Sequence, residues 1–196
     1  MSHVHLRAVI FDLDGTLVDS RLDFAAMRRE LDAPEELGLL EYVAKLSSQE
    51  ERDEAMAIIH QHEIAGALAA QWMPGAEQTV HALHQRQTPI AIVTRNSREA
   101  ARLTMQRLGM PVIPLKARED AAPKPDPEAL LAVASDWRIE PEHCAYVGDF
   151  RYDIEAAQRA GMLPVLYVAD GEAPEEFDAQ VRILKQFNSI IAWLHP

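Results

Sequence analysis

One cysteine among 196 residues, Cys144, excludes an intramolecular disulfide and fits a reducing compartment. It precedes an apolar run and reads as core rather than as a reactive thiol. Positive charge is also scarce. Nineteen Lys and Arg face 31 Asp and Glu, a formal net charge of −12. That balance argues against binding a nucleic-acid backbone or an anionic membrane. It also means that an anionic substrate must meet a local positive site. No apolar stretch approaches the roughly 20 residues that span a bilayer. Met1 to Arg7 lacks the basic start and apolar run of a secretory leader, so a cytoplasmic location is expected. There is no internal repeat, low-complexity tract or long linker. Gly-x-Ser-x-Gly and the Walker-type glycine loop are both absent. The histidines, His3, His5, His60, His62, His81, His84, His143 and His195, show no zinc-like spacing, and His60 and His62 read as helix surface.

What is present is a chain that is 48% hydrophobic, enough for one domain with a modest insertion. Short apolar runs are expected as buried strands at Arg7–Asp12, Pro89–Thr94, Val112–Leu115, Ala145–Gly148 and Leu163–Val168. An edge strand is expected at Val181–Leu184. Helical patterns fill the intervals: Ala76–Gln85, the stretch up to Leu108, Pro127–Trp137, Tyr152–Ala160 and Ser189–Leu194. This rhythm specifies an α/β fold, a doubly wound parallel sheet with helices on both faces. Residues 21–72 interrupt it as an all-helical block of three helices. The first of these puts Phe24, Met27 and Leu31 on one face, Pro34 opens the second, and Ser47 or Ser48 caps the third. The expected division is an α/β core of residues 1–20 and 73–196, with 21–72 as a small cap over the sheet's carboxyl edge. A cap of this kind opens and closes, and excludes water when closed.

The chemistry concentrates at predicted strand ends, where open α/β sheets bind ligands. Ala8 to Phe11 runs into Asp12-Leu13-Asp14-Gly15-Thr16-Leu17-Val18-Asp19-Ser20. Two acids one residue apart on an extended strand point the same way, a poor choice for packing and a good one for a metal and a nucleophile. Val147-Gly148-Asp149 ends another strand, and Asp153 follows in the first turn of a helix. Oxygen-only carboxylate ligands suit Mg²⁺. Alone, this pair reads also as a helix cap with a dipole-compensating acid. Lys124 is held between prolines in Ala122-Pro123-Lys124-Pro125-Asp126-Pro127, and Thr94-Arg95-Asn96-Ser97 leaves the second strand. Each of these reads equally as an ordinary surface loop or strand residue when taken by itself.

Together the strings resemble the four motifs, in order, of the haloacid dehalogenase-like superfamily, and more narrowly its phosphoglycolate phosphatase-like branch. The resemblance spans nearly the whole chain and is weakest in the cap. It implies a Mg²⁺-dependent phosphohydrolase acting on a small phosphorylated metabolite through an aspartyl-phosphate. Asp12 is then the nucleophile. Asp14 is the acid that protonates the leaving alcohol and then the base that activates water. Thr94 and Lys124 hold phosphoryl oxygens, with Arg95 as a further candidate. The metal ligands are Asp12, the backbone carbonyl of Asp14, and Asp149, with Asp153 as ligand or anchor.

Phe150 and Tyr152 depart from the Ser and Asn that many branch members carry, which bears on substrate and not on the metal. Dehalogenases of the family lack an acid at the position of Asp14. Its sugar-phosphate mutases carry a cap-hinge His near Phe24, and its phosphonate-cleaving members carry a cap Lys, whereas Lys45 lies far from the hinge. Receiver domains also pair acids with Thr and Lys, but without a cap. A phosphate-responsive or partner-binding protein with little turnover is the alternative function. Arg28 and Arg29 are candidates to meet an anionic substrate.

Overall fold

In the computed structural model, residues 5–170, 177 and 180–194 are described. His3, His195 and the first residues of the N-terminal segment lie outside them. The central strand is β1 (Ala8–Phe11), every residue of it buried. It is flanked by β4 (Ile90–Val93) and β6 (Cys144–Gly148), with Val9 opposite Ile90 and Ala145. Outward from these lie β5 (Leu115–Lys116) on one side, and β7 (Leu163–Tyr167) and β8 (Arg182–Leu184) on the other. All pairings are parallel, and the order is β5-β4-β1-β6-β7-β8.

A strand buried on both faces needs apolar residues at consecutive positions. In β1, Val9 and Phe11 pack with Val80 and Leu83 of α4 (Ala76–Gln85) and Ala101 of α5 (Arg98–Arg107). Phe187 and Ile190, the latter in α8 (Ser189–Trp193), complete that layer. Ala8 and Ile10 face the other way, onto Leu130 and Val133 of α6 (Glu128–Trp137) and Ala156 and Ala157 of α7 (Arg151–Ala160). The doubly wound sheet expected from the alternating pattern is therefore what forms. Full burial of each larger side chain contributes about 1.5–3 kcal/mol.

Residues between β1 and α4 hold three helices with their own apolar cluster of Met27, Leu39, Val43, Ala55 and Ile59. In α1 (Phe24–Leu31), Asp23 caps the first turn by accepting from Ala26 N at 2.8 Å. Met27 is buried and Leu31 packs beside it, but Phe24 is 57% exposed because it occupies the open first position. The second helix, α2 (Leu39–Ala44), starts after Gly38 rather than at Pro34. Arg28 donates to the carbonyls of Pro34 and Leu37 at 2.6 and 2.7 Å, which holds that stretch as a turn. Ser48 caps α3 (Gln49–Ala69), with Glu51 returning the bond to Ser48 N at 2.9 Å.

Two strands of two residues, β2 (Val18–Asp19) and β3 (Gln71–Trp72), pair antiparallel where the helical block leaves and rejoins the sheet domain. Elements this short show no alternation, so the sequence pattern missed them. The third expected strand is shifted: β5 is Leu115–Lys116, and Val112 is 97% exposed. His60 and His62 are half-buried bridges rather than bare surface, contacting Ser97 and Glu30 respectively. Among the described residues no helix is long and apolar enough to cross a membrane.

Cys144 is sealed in the core, where burial pushes its thiol up to about 11. The thiolate is the reactive form, so at pH 8 the native protein will resist iodoacetamide. Mass spectrometry is expected to find Cys144 unmodified until urea unfolds the chain. Equal labelling before and after unfolding would contradict this burial.

Candidate active site

The sheet order places the ends of β4, β1 and β6 side by side, and these three tips deliver Thr94, Asp12 and Asp149 to one edge. Beyond Phe11 the chain does not stay extended. Leu17 N and Val18 N both donate to Leu13 O, folding residues 13–18 into a turn. Asp12 N still donates to Val147 O at 2.8 Å, so its backbone remains fastened to β6. Gly15 sits at φ +82°, and a Cβ there would strike the Asp149 carboxylate. Gly148 plays the same part on the opposite side, since its Cβ would strike Asp153. These two glycines let the carboxylates close in.

Lys124, 4% exposed, is the hub. Its Nζ lies 2.8 Å from Asp12 Oδ1 and 2.6 Å from Asp153 Oδ1. It donates to Tyr146 Oη at 2.7 Å, with Val93 O at 3.5 Å. Burial opposes its charge, but Asp12 and Asp153 outweigh burial and raise its pKa, so the ammonium stays charged. Burial pushes Asp12 well above the usual carboxylate range. Lys124 opposes that rise, and Asp153 and Asp149 add to it. Asp12 Oδ1 is buried and, though ion-paired, is out of line for a hydrogen bond.

Asp149 stands at the open mouth. Even so, partial burial, followed by repulsion from Asp153, pushes it up to about 6 against the hydrogen bond from Thr16 at 3.0 Å. Asp153 starts α7: its Oδ2 accepts from Phe150 N at 3.0 Å while Oδ1 is taken by Lys124. One ligand atom each from Asp12, Asp149 and Asp153 lies within 4.8 Å of the others. Three carboxylates against one ammonium leave the cluster short of positive charge. An all-oxygen set with an unaligned buried oxygen suits a hard divalent cation such as Mg²⁺.

Asp14 faces the same space from the turn. Burial raises its pKa, tempered by hydrogen bonds from Ser20 and Asn96. Asn96 Nδ2 donates to Asp14 Oδ2 at 3.0 Å, and Asp14 Oδ1 is buried without a partner. Thr94 Oγ1 accepts from Asn96 N at 3.1 Å. Arg95 belongs to the same cavity, but its guanidinium is 2.5 Å from Glu41 and lies over the Tyr152 ring. Arg28 is occupied by backbone carbonyls, and Arg29 is exposed on the outer face of α1. Of the two arginines that sequence offered to meet an anionic substrate, Arg28 lines the cavity and Arg29 does not. Glu63 of α3, buried, receives both terminal nitrogens of Arg118 at 2.5 and 3.1 Å and the backbone N–H of Ser97 at 3.3 Å.

A family model of haloacid dehalogenase-like hydrolases matches residues 6–161. The chain belongs to this family. A haloacid dehalogenase-like hydrolase domain-containing protein of Arabidopsis thaliana is 31% identical over 185 residues, covering 88% of this chain and 75% of the relative. A phosphoglycolate phosphatase of Xylella fastidiosa is 30% identical, covering 80% and 77%. The solved structure of a hydrolase from Pseudomonas syringae overlays with a TM-score of 0.77 at 22% identity, covering 95% of this chain and 96% of that one. The likeness to the phosphoglycolate phosphatase-like branch drawn from the motifs thus holds.

Three side chains that complete this haloacid dehalogenase-like site escaped sequence reasoning. Tyr146 sat inside a strand that reads as plain core. A buried tyrosine needs a partner for its hydroxyl, and that requirement was the available signal. Thr16 and Asn96 stand within the motif strings, but nothing in their spacing assigns them Asp149 and Asp14 as partners.

Replacing Lys124 strands buried carboxylates. Lys124→Met is expected to lower the unfolding free energy by about 3–5 kcal/mol at pH 8 in chelator. Without the ammonium, Asp12, already raised by burial, binds a proton in the folded state at a pH where the unfolded chain has lost it. Stability of the variant therefore falls as pH rises through that window, and the deficit will be smaller at pH 5. Urea titrations at the two pH values check both magnitude and sign.

Proposed function

We propose that this hydrolase is a Mg²⁺-dependent phosphatase that cleaves a small organic phosphate monoester through an aspartyl-phosphate on Asp12. The observation carrying the proposal is the Lys124-centred cluster of Asp12, Asp153 and Asp149 at the floor of a cavity of about 560 Å³. The name of the Xylella relative supports the phosphatase reading. In this scheme a carboxylate oxygen of Asp12 attacks phosphorus in line, and the ester P–O bond breaks. Asp14 gives its proton to the departing alcohol oxygen. It then takes a proton from the water that attacks the acyl phosphate, releasing inorganic phosphate and restoring Asp12.

Thr94 and Lys124 hold the transferring oxygens, and Asn96 orients Asp14. Asp153 has both oxygens engaged by Lys124 and Phe150 N, so it anchors the ammonium as well as completing the acidic set. Asp12, Asp149 and Asp153, with the Asp14 carbonyl, are the groups that would hold Mg²⁺. That ion would supply the positive charge the cluster lacks, keeping Asp12 ionised beside an anionic ester. Residues 21–72 serve as the cap over this floor, with 1–20 and 73–196 as the catalytic core.

Asp12→Asn is expected to reduce Mg²⁺-dependent hydrolysis of p-nitrophenyl phosphate to background while leaving the circular dichroism spectrum unchanged. EDTA will do the same to the wild type, reversibly on adding Mg²⁺. Asp14→Asn should cost about a hundredfold to ten-thousandfold in kcat. Full activity in Asp12→Asn would remove the proposed nucleophile.

A further inference from the structure

From the cavity wall we infer that the substrate's alcohol is uncharged and largely apolar, at least the size of an aromatic ring, rather than a small carboxylate such as glycolate. This rests on the phosphatase reading and narrows it. A cavity of about 560 Å³ is within the range, about 300–1,000 Å³, that encloses ligands far larger than a two-carbon acid. Its wall above the carboxylates is lined by Leu22, Phe24, Leu37, Leu40 and Phe150. Phe24 and Phe150 are 57% and 54% exposed, and they reach this space from different parts of the fold. Phe24 opens α1 of the helical block, and Phe150 directly follows Asp149 in the core. Phe150 also packs edge-on against Tyr152, ring centroids 5.2 Å apart, which stiffens an aromatic rim beside the phosphoryl end. Leaving such surface in water is unfavourable, and an apolar ligand would cover it.

The charges on the wall point the same way. A carboxylate or second phosphate on the substrate would need a cation beyond Lys124. Of the arginines lining the cavity, Arg95 is paired with Glu41, Arg118 with Glu63 and Arg21 with Asp19, Arg151 lies over the Phe150 and Tyr152 rings, and Arg28 gives its Nη1 to two carbonyls. Recruiting Arg95 or Arg118 would mean breaking an ion pair already made. Glu35 and Glu36 lie on the same wall and repel an anion. An uncharged body meets neither cost.

The test compares kcat/KM with Mg²⁺ for benzyl phosphate, phosphoglycolate and methyl phosphate, all esters of poor leaving alcohols. Benzyl phosphate is expected to exceed phosphoglycolate by about ten- to a hundredfold, mostly through KM. Phe24→Ala and Phe150→Ala should each lower the benzyl-to-methyl ratio about two- to tenfold. The ratio is taken within one protein preparation, so partial misfolding cancels. Phosphoglycolate matching benzyl phosphate, or a ratio unmoved in both variants, overturns the inference and leaves the phosphatase reading intact. If wild type hydrolyses p-nitrophenyl phosphate but none of the three, this inference falls alone; if it hydrolyses none of the four, the phosphatase reading falls with it.

Discussion

The site depends on one buried ammonium. Asp12 follows β1 and Asp153 lies in the first turn of α7, and Lys124 lies within 2.8 Å of both. Without it two acids would repel in a low-dielectric interior. With it, the pair stays close, and the ammonium offsets part of the rise that burial imposes on Asp12. Tyr146 closes the arrangement from beneath, accepting from Lys124 and offering its own proton toward Val93 O or Asp153. Such partners, one step removed from the reacting atoms, tune a charged centre as strongly as its direct contacts do.

The fold makes this economical. Three adjacent strands end at the same edge, so turn residues one or two positions past each strand meet without long loops. Both faces of β1 are buried, so its register against β4 and β6 is specified by packing alone. A one-residue slip would exchange the Val9/Phe11 layer with the Ala8/Ile10 layer and move Asp12 away from Lys124.

Much of this was legible because periodic apolar runs and special residues report on long-range structure. Asp12, Asp14, Asp149 and Asp153 stand where apolar strands stop, and the doubly wound sheet follows from strand–helix alternation. Other features depend on contacts between distant segments. Asn96 was visible as a loop residue, but its bond to Asp14 crosses 82 positions. Arg95 beside Thr94 resembles a phosphate ligand until Glu41, on a helix of the insertion, is seen to hold it. Arg28 lines the cavity and also braces a turn, a second task that only the folded structure reveals. Val112 is apolar and exposed, so hydrophobicity alone set the start of β5 three residues early.

Two of the ion pairs between the helical insertion and the core differ in strength. The Glu63–Arg118 pair is buried and bidentate, with side chains 7% and 15% exposed, and pulling it apart strands a carboxylate in the interior. Arg95–Glu41 is wetter, at 22% and 32%, and water can replace it cheaply. Thermal loosening therefore has a direction. The α2 side parts from the sheet domain before α3 does, so the entrance widens like a door whose frame is α3 and whose free edge carries Glu41.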